Sequence, residues 1–295
     1  MSLIKNIYLS LINWRWELGI SEDSLSEFVE KGKELHFHWV KLPFKGRWFA
    51  DPFILDYNED EIIILVEEYS DNIKKGRIGK VVVDRKAFTF KSWKLLLELP
   101  THLSFPAIIR RNGKVYIYPE NSASGGLHIY EYNPKDDSLR KIQTLLDKPV
   151  TDSLYTELFG EKQLFCTEVP NENGNVLQQY SWDENKNMFV HQQDVCFHEN
   201  IGRRAGEFFE LNGHVYSPAQ ESNVEYGRGM VIQEFTKSND GEWKVSEVNR
   251  IYSPHPTLKL GFHTFNHYKG LTIVDVKGFN HPLIGKILKG IRHIF

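Results

Sequence analysis

An aspartate fixed to a proline, Asp51-Pro52, follows two aromatic residues, Trp48 and Phe49, and the apolar run behind it ends in two more acids, Glu67 and Glu68. A proline restricts the backbone of the residue before it, so an acid there is held in place, which suits a general base or a fixed hydrogen-bond acceptor. The same outline returns over residues 102–122, 151–171, 202–222 and 261–279. Aligned on their turns, the copies put Asp51, Phe105, Ser153 and Ala205 at one repeated position and Glu67, Glu120, Glu168 and Gln220 at another. A carboxylate or its amide recurring at one place has two readings. In the first, the acids ring a sugar: Asp51 is the candidate base that aims a water at an anomeric carbon, and Glu120 or Glu168 the acid that protonates the leaving oxygen. In the second, they accept hydrogen bonds from backbone amides of neighbouring repeats and tie the repeats together.

Other polar groups fall in the same repeated places. Trp48, Glu67 and Asp152 join the substrate-binding candidates. Arg203, before Arg204-Ala205-Gly206, could grip a carboxylate or phosphate with two parallel hydrogen bonds, or form a salt bridge between repeats. Gln220 with Tyr226 could bind sugar hydroxyls, or serve loop structure alone. His263, Asn266 and Asp275 invite a metal reading, but no HExxH motif is present, which favours a satisfied structural histidine. No metal or cofactor is expected, although a ring of carboxylates has the oxygen chemistry that Ca²⁺ takes. The absence of a nucleophile elbow, a P-loop and a dinucleotide fingerprint removes several enzyme classes.

The elements that must carry these residues repeat with them. Each copy reads as a polar lead-in, a strand, a tight turn and a second strand, at intervals of roughly 50 residues, the spacing of propeller blades. Turn signals at Asn112-Gly113, Asn173-Gly174, Asn212-Gly213 and Asp240-Gly241 support hairpins. Between the copies lie further alternating pairs, such as LHIYEYN with LRKIQTLL, joined by polar turns. Four strands in each of five units predict an all-β, five-bladed propeller over residues 1–279, one blade being assembled from both ends of the chain. Residues 1–47 form the closing segment, with a strand in LSLINWRWELGI, a short helix within 21–33 marked by Ser24 and Glu27 at capping-box spacing, and a strand in ELHFHWVKL. Residues 280–295 change character: Leu283, Ile284, Ile287, Leu288, Ile291 and Ile294 share a helical face beside Lys286, Lys289 and Arg292. That predicts an amphipathic helix, either packed on the propeller or, over 283–295, resting on a membrane surface or a partner.

Composition narrows the partners. Across 295 residues the net charge is −3, which leaves no basic field to hold nucleic acid. Aromatic residues at 13% favour strands. Cys166 and Cys196 are too few for a disulfide framework and fit a reduced compartment. Arg15 and Glu17 interrupt the apolar start, so no signal peptide is expected and the chain is placed in the cytoplasm, with the inner membrane face as the place its tail would touch.

The WELG of Trp16–Gly19, then WFADPF, HLSFPAIIRRNGKVYIYPEN, RRAG, SPAQES with Tyr226-Gly227, and HTFN occur in that order. Together they resemble the N-terminal domain of glucosamine inositolphosphorylceramide transferases and its free-standing bacterial relatives, over about Trp16 to Gly278. That family looks distantly similar to the five-bladed propellers of glycoside hydrolase family 43. The resemblance implies a sugar site at the mouth of the central channel, and that the acid of the Ala50-Asp51-Pro52 motif is a general base. The chain departs from the hydrolase pattern at Phe105, where a second aspartate is expected. Asp152, Glu157 and Glu168 lack the EGP-like context of the proton donor, and Ser217 stands where the transferase-type domains tend to carry an arginine. The reading favoured from this sequence is a carbohydrate-recognising propeller of glycan or glycolipid biosynthesis that assists a separate glycosyltransferase. A family 43-like glycosidase and a protein-interaction propeller remain as alternatives, since one fold hosts many functions.

Overall fold

The computed structural model describes residues 13–285 and 287. Strand β1, Trp14–Ser21, is followed by helix α1, Leu25–Val29, and strand β2, His38–Val40. In α1 the capping box forms as its spacing implies, the Ser24 amide donating to the Glu27 carboxylate at 2.8 Å. Four hairpin-connected sheets follow. The first blade is β3 to β6 (Arg47–Tyr57, Glu61–Ser70, Gly76–Asp84, Phe90–Leu97) and the second β7 to β10 (Ser104–Arg111, Lys114–Glu120, Leu127–Asn133, Ser138–Leu146). The third is β11 to β14 (Val150–Thr156, Gln163–Glu168, Val176–Asp183, Met188–Cys196) and the fourth β15 to β18 (Phe209–Leu211, His214–Glu221, Gly229–Lys237, Trp243–Tyr252). The fifth takes β19, Phe265–Tyr268, and β20, Leu271–Phe279, from the far end of the chain and completes itself with β1 and β2, in the order β19-β20-β1-β2. The chain is thus an all-β, five-bladed propeller closed by its N-terminal strands.

The physical reason for the blade pattern is burial. Inner strands such as β3, β4 and β20 lie between neighbouring blades, so both faces are covered and they read as nearly continuous apolar runs. Outer strands such as β6 and β18 have one wet face and alternate. Apolar clusters fill the wedges between blades. One runs through Phe53, Phe105, Leu154 and Tyr180, another joins Leu18 and Ile273 of the closing blade to Phe49 and Ile64 of the first, and Phe28 of α1 seals a third against Phe265. Asn112-Gly113 and Asn212-Gly213 both have positive φ at each residue, the conformation of two-residue hairpin turns. Asn173-Gly174 instead lies in a longer connection, where the Asn173 side chain accepts from Arg203.

At the other end, residues 282–285 and 287 are helical. Leu283, Ile284 and Ile287 are exposed; Leu288, Ile291 and Ile294, and residues 1–12, lie outside the described residues. No described helix is long and apolar enough to cross a membrane.

Candidate functional site

Each of the first three blades starts with the same backbone irregularity. Asp51, Phe105 and Asp152 have φ of +49°, +42° and +42°, in the left-handed region that non-glycine residues avoid. Each sits where the innermost strand slips register against the second strand, between Ala50 and Phe53, Ser104 and Ala107, and Thr151 and Leu154. Two of these residues precede prolines, which would have favoured extended backbone, so a conformation costing roughly 1–3 kcal/mol is being held by its surroundings. The holding groups are carboxylates of other blades. Asp275 accepts the Asp51 amide at 2.9 Å, Asp51 accepts the Phe105 amide at 3.1 Å, and Glu120 accepts the Asp152 amide at 3.2 Å.

This geometry corrects the turn-based alignment in the third blade. Asp152, not Ser153, is the counterpart of Asp51, and Thr151 pairs with Thr167 just as Ala50 pairs with Glu67 and Ser104 with Glu120. Glu168 therefore points the other way. It bonds the Tyr180 hydroxyl and Lys148, away from the other acids, and the strand register leaves it no part in their chemistry. Phe105 stands edge-on to Phe53 with ring centroids 4.9 Å apart, so in the second blade this position serves the wedge between blades.

A pocket of about 430 Å³ opens at the channel mouth, and Trp48, Asp51, Glu67, Glu120, Arg203, Tyr226 and His263 all line it. Four other candidates lie behind its wall. Asp152 and Gln220 are buried and bonded to each other at 2.6 Å. Asn266 donates to the Pro52 carbonyl and accepts the Glu207 amide, so both ends of its side chain are used in joining blades. Asp275 is wholly buried and accepts from the amides of Asp51, His263 and Thr264. Neither Asn266 nor Asp275 lines the pocket, and the hydrogen bonds of both join blades.

Arg203, carried from the fourth blade, is the main counter-charge. Its Nε and Nη2 meet the two oxygens of Asp152 at 2.5 and 3.3 Å, and Nη2 also reaches Glu120 at 3.3 Å. Burial works against its charge, but Asp152 and Glu120 outweigh that and keep it a guanidinium. Arg203 does not meet Asp51, whose partners are the Phe105 amide, the Thr264 hydroxyl at 2.9 Å and, 3.6 Å away, Nε2 of His263. Burial pushes the Asp51 carboxyl up to about 6, with His263 opposing the shift. Burial also opposes a charge on His263, and Asp275, bonded to its Nδ1 at 2.8 Å, more than reverses that.

Glu67 differs from its neighbours. Burial, reinforced by Asp51 and Glu120, pushes its carboxyl well above the usual range, and Oε1 makes no hydrogen bond. Nε2 of His102 lies 3.3 Å away but is not aligned for one. Since Nδ1 of His102 accepts the Gly76 amide at 2.9 Å, the ring proton must sit on Nε2 when the imidazole is neutral. Burial and Arg203 both favour that neutral form.

Residues the sequence did not single out complete the pocket. Trp14 and Trp16 enter from β1, and Tyr69, Asp71, His102, Ser104 and Lys277 from its rim. Trp48 stacks on Tyr69 at 4.7 Å and 6°, Trp14 leans on Trp48 at 5.5 Å, and Trp16 stacks on His263 at 3.9 Å. Alternation at Trp14 and Trp16 was the available signal, since it puts both rings on one face of a strand. Asp51, His263 and Asp275 bring one ligand atom each within 4.8 Å of one another. Their lone pairs are already committed to amides, a hydroxyl and one another, the pattern of a hydrogen-bonded clamp. A larger cleft of about 900 Å³ lies beside the first two blades, but its Lys114 and Arg140 are both paired with Glu131.

Comparison with known proteins follows the same direction. Residues 39–266 match the family described as glucosamine inositolphosphorylceramide transferase 1, N-terminal. The chain is 25% identical over 219 residues to a glucosamine inositolphosphorylceramide transferase 1 of Oryza sativa subsp. indica, covering 70% of this chain and 28% of the relative. The same-named protein of Arabidopsis thaliana is 25% identical over 210 residues, 69% of this chain and 27% of that one. The chain thus spans little more than a quarter of these relatives. Among solved structures, a family 43 glycoside hydrolase enzyme of Xanthomonas citri superposes with a TM-score of 0.51 at 10% identity, over 78% of this chain and 87% of that one. A family 43 β-1,3-galactosidase gives 0.50 at 10% identity, over 73% and 78%. At such identity the likeness is one of fold.

Proposed function

The chain belongs to the glucosamine inositolphosphorylceramide transferase 1 N-terminal family, and from that premise we propose that it recognises a saccharide at the channel mouth during glycan or glycolipid assembly. The observation that carries this is the pairing, in one pocket, of an aromatic wall (Trp48 on Tyr69, flanked by Trp14) with acids at its floor. Sugars present apolar faces that lie on aromatic rings and hydroxyls that bond carboxylates. Two of the five buried acids around it, Glu120 and Asp152, are held by Arg203 as ion pairs, which suits binding better than proton transfer. Kinship with transferases supports action beside a separate glycosyltransferase, and the exposed Leu283, Ile284 and Ile287 would suit contact with a lipid surface such as the cytoplasmic face of a membrane.

The test is a glycan and sugar-nucleotide binding screen followed by titration calorimetry. Trp48→Ala is expected to weaken each hit by about tenfold, ~1.4 kcal/mol, with no release of reducing sugar. A screen without hits, or hits that Trp48→Ala leaves untouched, would reject the reading.

One observation favours a glycosidase instead. Asp51, raised to about 6, and Glu67, pushed well above the usual carboxylate range by burial, share the pocket, and their unequal environments are those of a base and an acid. Turnover that disappears in both Asp51→Asn and Glu67→Gln while binding survives would establish that alternative.

A further inference from the structure

Among the described residues, eleven large hydrophobic side chains are exposed, and nine of them lie at one end of the propeller. It is the end that holds the pocket. Asp51 sits near the start of β3, and Glu67 and Glu120 near the ends of β4 and β8, so the connections that leave the second strands surround the pocket mouth. Ile73 lies in the connection 71–75 of the first blade, Val169 in 169–175 of the third, and Val224, 83% exposed, in 222–228 of the fourth, beside Tyr226. Tyr252 ends β18 there. Trp14 opens β1 opposite Phe279 at the same end, and Leu283, Ile284 and Ile287 follow Phe279 in the chain. Of the other two, Leu158 is in the loop 157–162 at the opposite end and Ile142 lies within outer strand β10. Exposed apolar residues scattered singly need no explanation, but their gathering at one end from four of the five blades does.

Charge is divided in the same direction. Residues 1–12 and 286–295 both join the fold at the pocket end, where the Asn280 amide bonds the Asn13 carbonyl and Gly285 packs against Phe279. In sequence these two segments are apolar and carry Lys5, Lys286, Lys289 and Arg292 without one acid. The turns at the opposite end, among them 58–60, 134–137 and 238–242, carry more Asp and Glu than Lys and Arg. We propose that the whole pocket-bearing end, and not the C-terminal tail alone, is a membrane-docking face, and that the pocket mouth opens onto the headgroups of an anionic lipid surface. Separate apolar side chains on separate loops do not make the contiguous patch that a protein interface buries at its centre. A bilayer accepts them one by one: Ile and Val reach the acyl boundary, while Trp and Tyr rest at headgroup level. The basic, acid-free segments meet the negative surface potential, and the acidic end is turned away from it. This docking needs no sugar in the pocket, so it stands or falls apart from the carbohydrate reading.

The experiment sediments the full chain with vesicles of phosphatidylcholine alone and of phosphatidylcholine with phosphatidylglycerol at about 3:1, neither of which carries a sugar headgroup. The chain is expected to bind the mixed vesicles more tightly than the neutral ones. Combining Ile73→Ser, Val169→Ser and Val224→Ser should lower binding roughly tenfold or more, whereas Leu158→Ser at the opposite end should leave it within about twofold. All four side chains are exposed, so melting temperatures should not move. Amide exchange of the unaltered chain reads the same face without substitution: vesicles should protect 71–75, 169–175 and 222–228 and leave 58–60, 134–137 and 238–242 unchanged. Absence of binding to both vesicles overturns the proposal, and equal binding to both overturns the anionic preference. Binding that the triple variant retains assigns the contact to the tail alone, and protection of the acidic turns assigns it to the other end; either overturns docking through the pocket face. Protection of the three connections that grows with protein concentration in the absence of lipid, together with a dimer in sedimentation velocity, gives the face to a second copy of the chain and overturns it as well.

Discussion

Replacing Arg203 by methionine keeps side-chain length but removes the cation that joins the second, third and fourth blades. Asp152 and Glu120 are 1% and 8% exposed and would lose a partner that now sits 2.5 to 3.3 Å from them. Removing one partner of a buried pair typically costs about 3–5 kcal/mol, because the remaining charge is left without compensation. For a chain of this size that is a fall in melting temperature of roughly 5–8 °C. The loss has a pH signature. Glu120 is already pushed above the usual carboxylate range by burial, with Arg203 opposing. Without the guanidinium, folding favours the protonated acid more strongly, so the folded variant holds more protons than the unfolded chain, and its deficit must shrink as pH falls. Each carboxyl that takes up a proton relieves ~1.4 kcal/mol per pH unit. Denaturant unfolding of wild type and Arg203→Met should therefore differ most near neutrality and by less as pH falls. A neutral-pH deficit below about 1 kcal/mol, or one that does not change with pH, would refute the view that this cation neutralises the acids.

Three further outcomes test other parts of the site. Asp51 is raised from 3.8 to about 6, so its contribution to stability is present below the first value and lost as pH rises through the second; wild type should lose stability across that interval relative to Asp51→Asn, and parallel pH profiles would contradict it. Gly76→Ala drives a methyl group into Glu67 and the Leu103 carbonyl, and calorimetric melting should show a loss of about 1–3 kcal/mol together with weaker ligand binding. Phe105→Asp restores an acid where family 43 enzymes are expected to have one, yet it empties a wedge filled against Phe53 and buries a charge; destabilisation of about 3–5 kcal/mol without gain of hydrolysis is expected, and a stable, active variant would overturn it.

The blades were legible in the sequence because burial on both faces of the inner strands writes apolar runs such as Ile62–Val66, and repeats them. The closing of the ring was legible too, since alternation around Trp14 and Trp16 marks a strand with no hairpin partner nearby. Asp51, Glu67, Glu120 and Arg203 were singled out because their positions recur, and all four line the same pocket. The third blade was misread by one residue, and the cause is physical. Its first two strands are joined by the loop 157–162, whereas the second and fourth blades turn through Asn112-Gly113 and Asn212-Gly213, so aligning on turns shifts the strand. That one-residue shift exchanged Thr167 for Glu168 and Asp152 for Ser153. The pocket's aromatic wall was hidden for a different reason: Trp14 and Tyr69 come from separate blades, and only the closed ring brings them together.

The ring is locked by two strands whose free ends lie side by side. The Asn280 amide bonds the Asn13 carbonyl at 2.9 Å, and Trp14 opposes Phe279 at the start of the ladder that runs to Ser21 and Thr272. Tension applied between residues 13 and 280 would load the Trp14–Phe279 pair first and peel the seam open rung by rung, as a zipper, rather than shear all its bonds at once. Trp14, Trp16 and Lys277 leave the pocket with the first rungs, while the other four blades keep their own hairpins intact. A pull on the two ends would thus empty the pocket before it unfolds the protein.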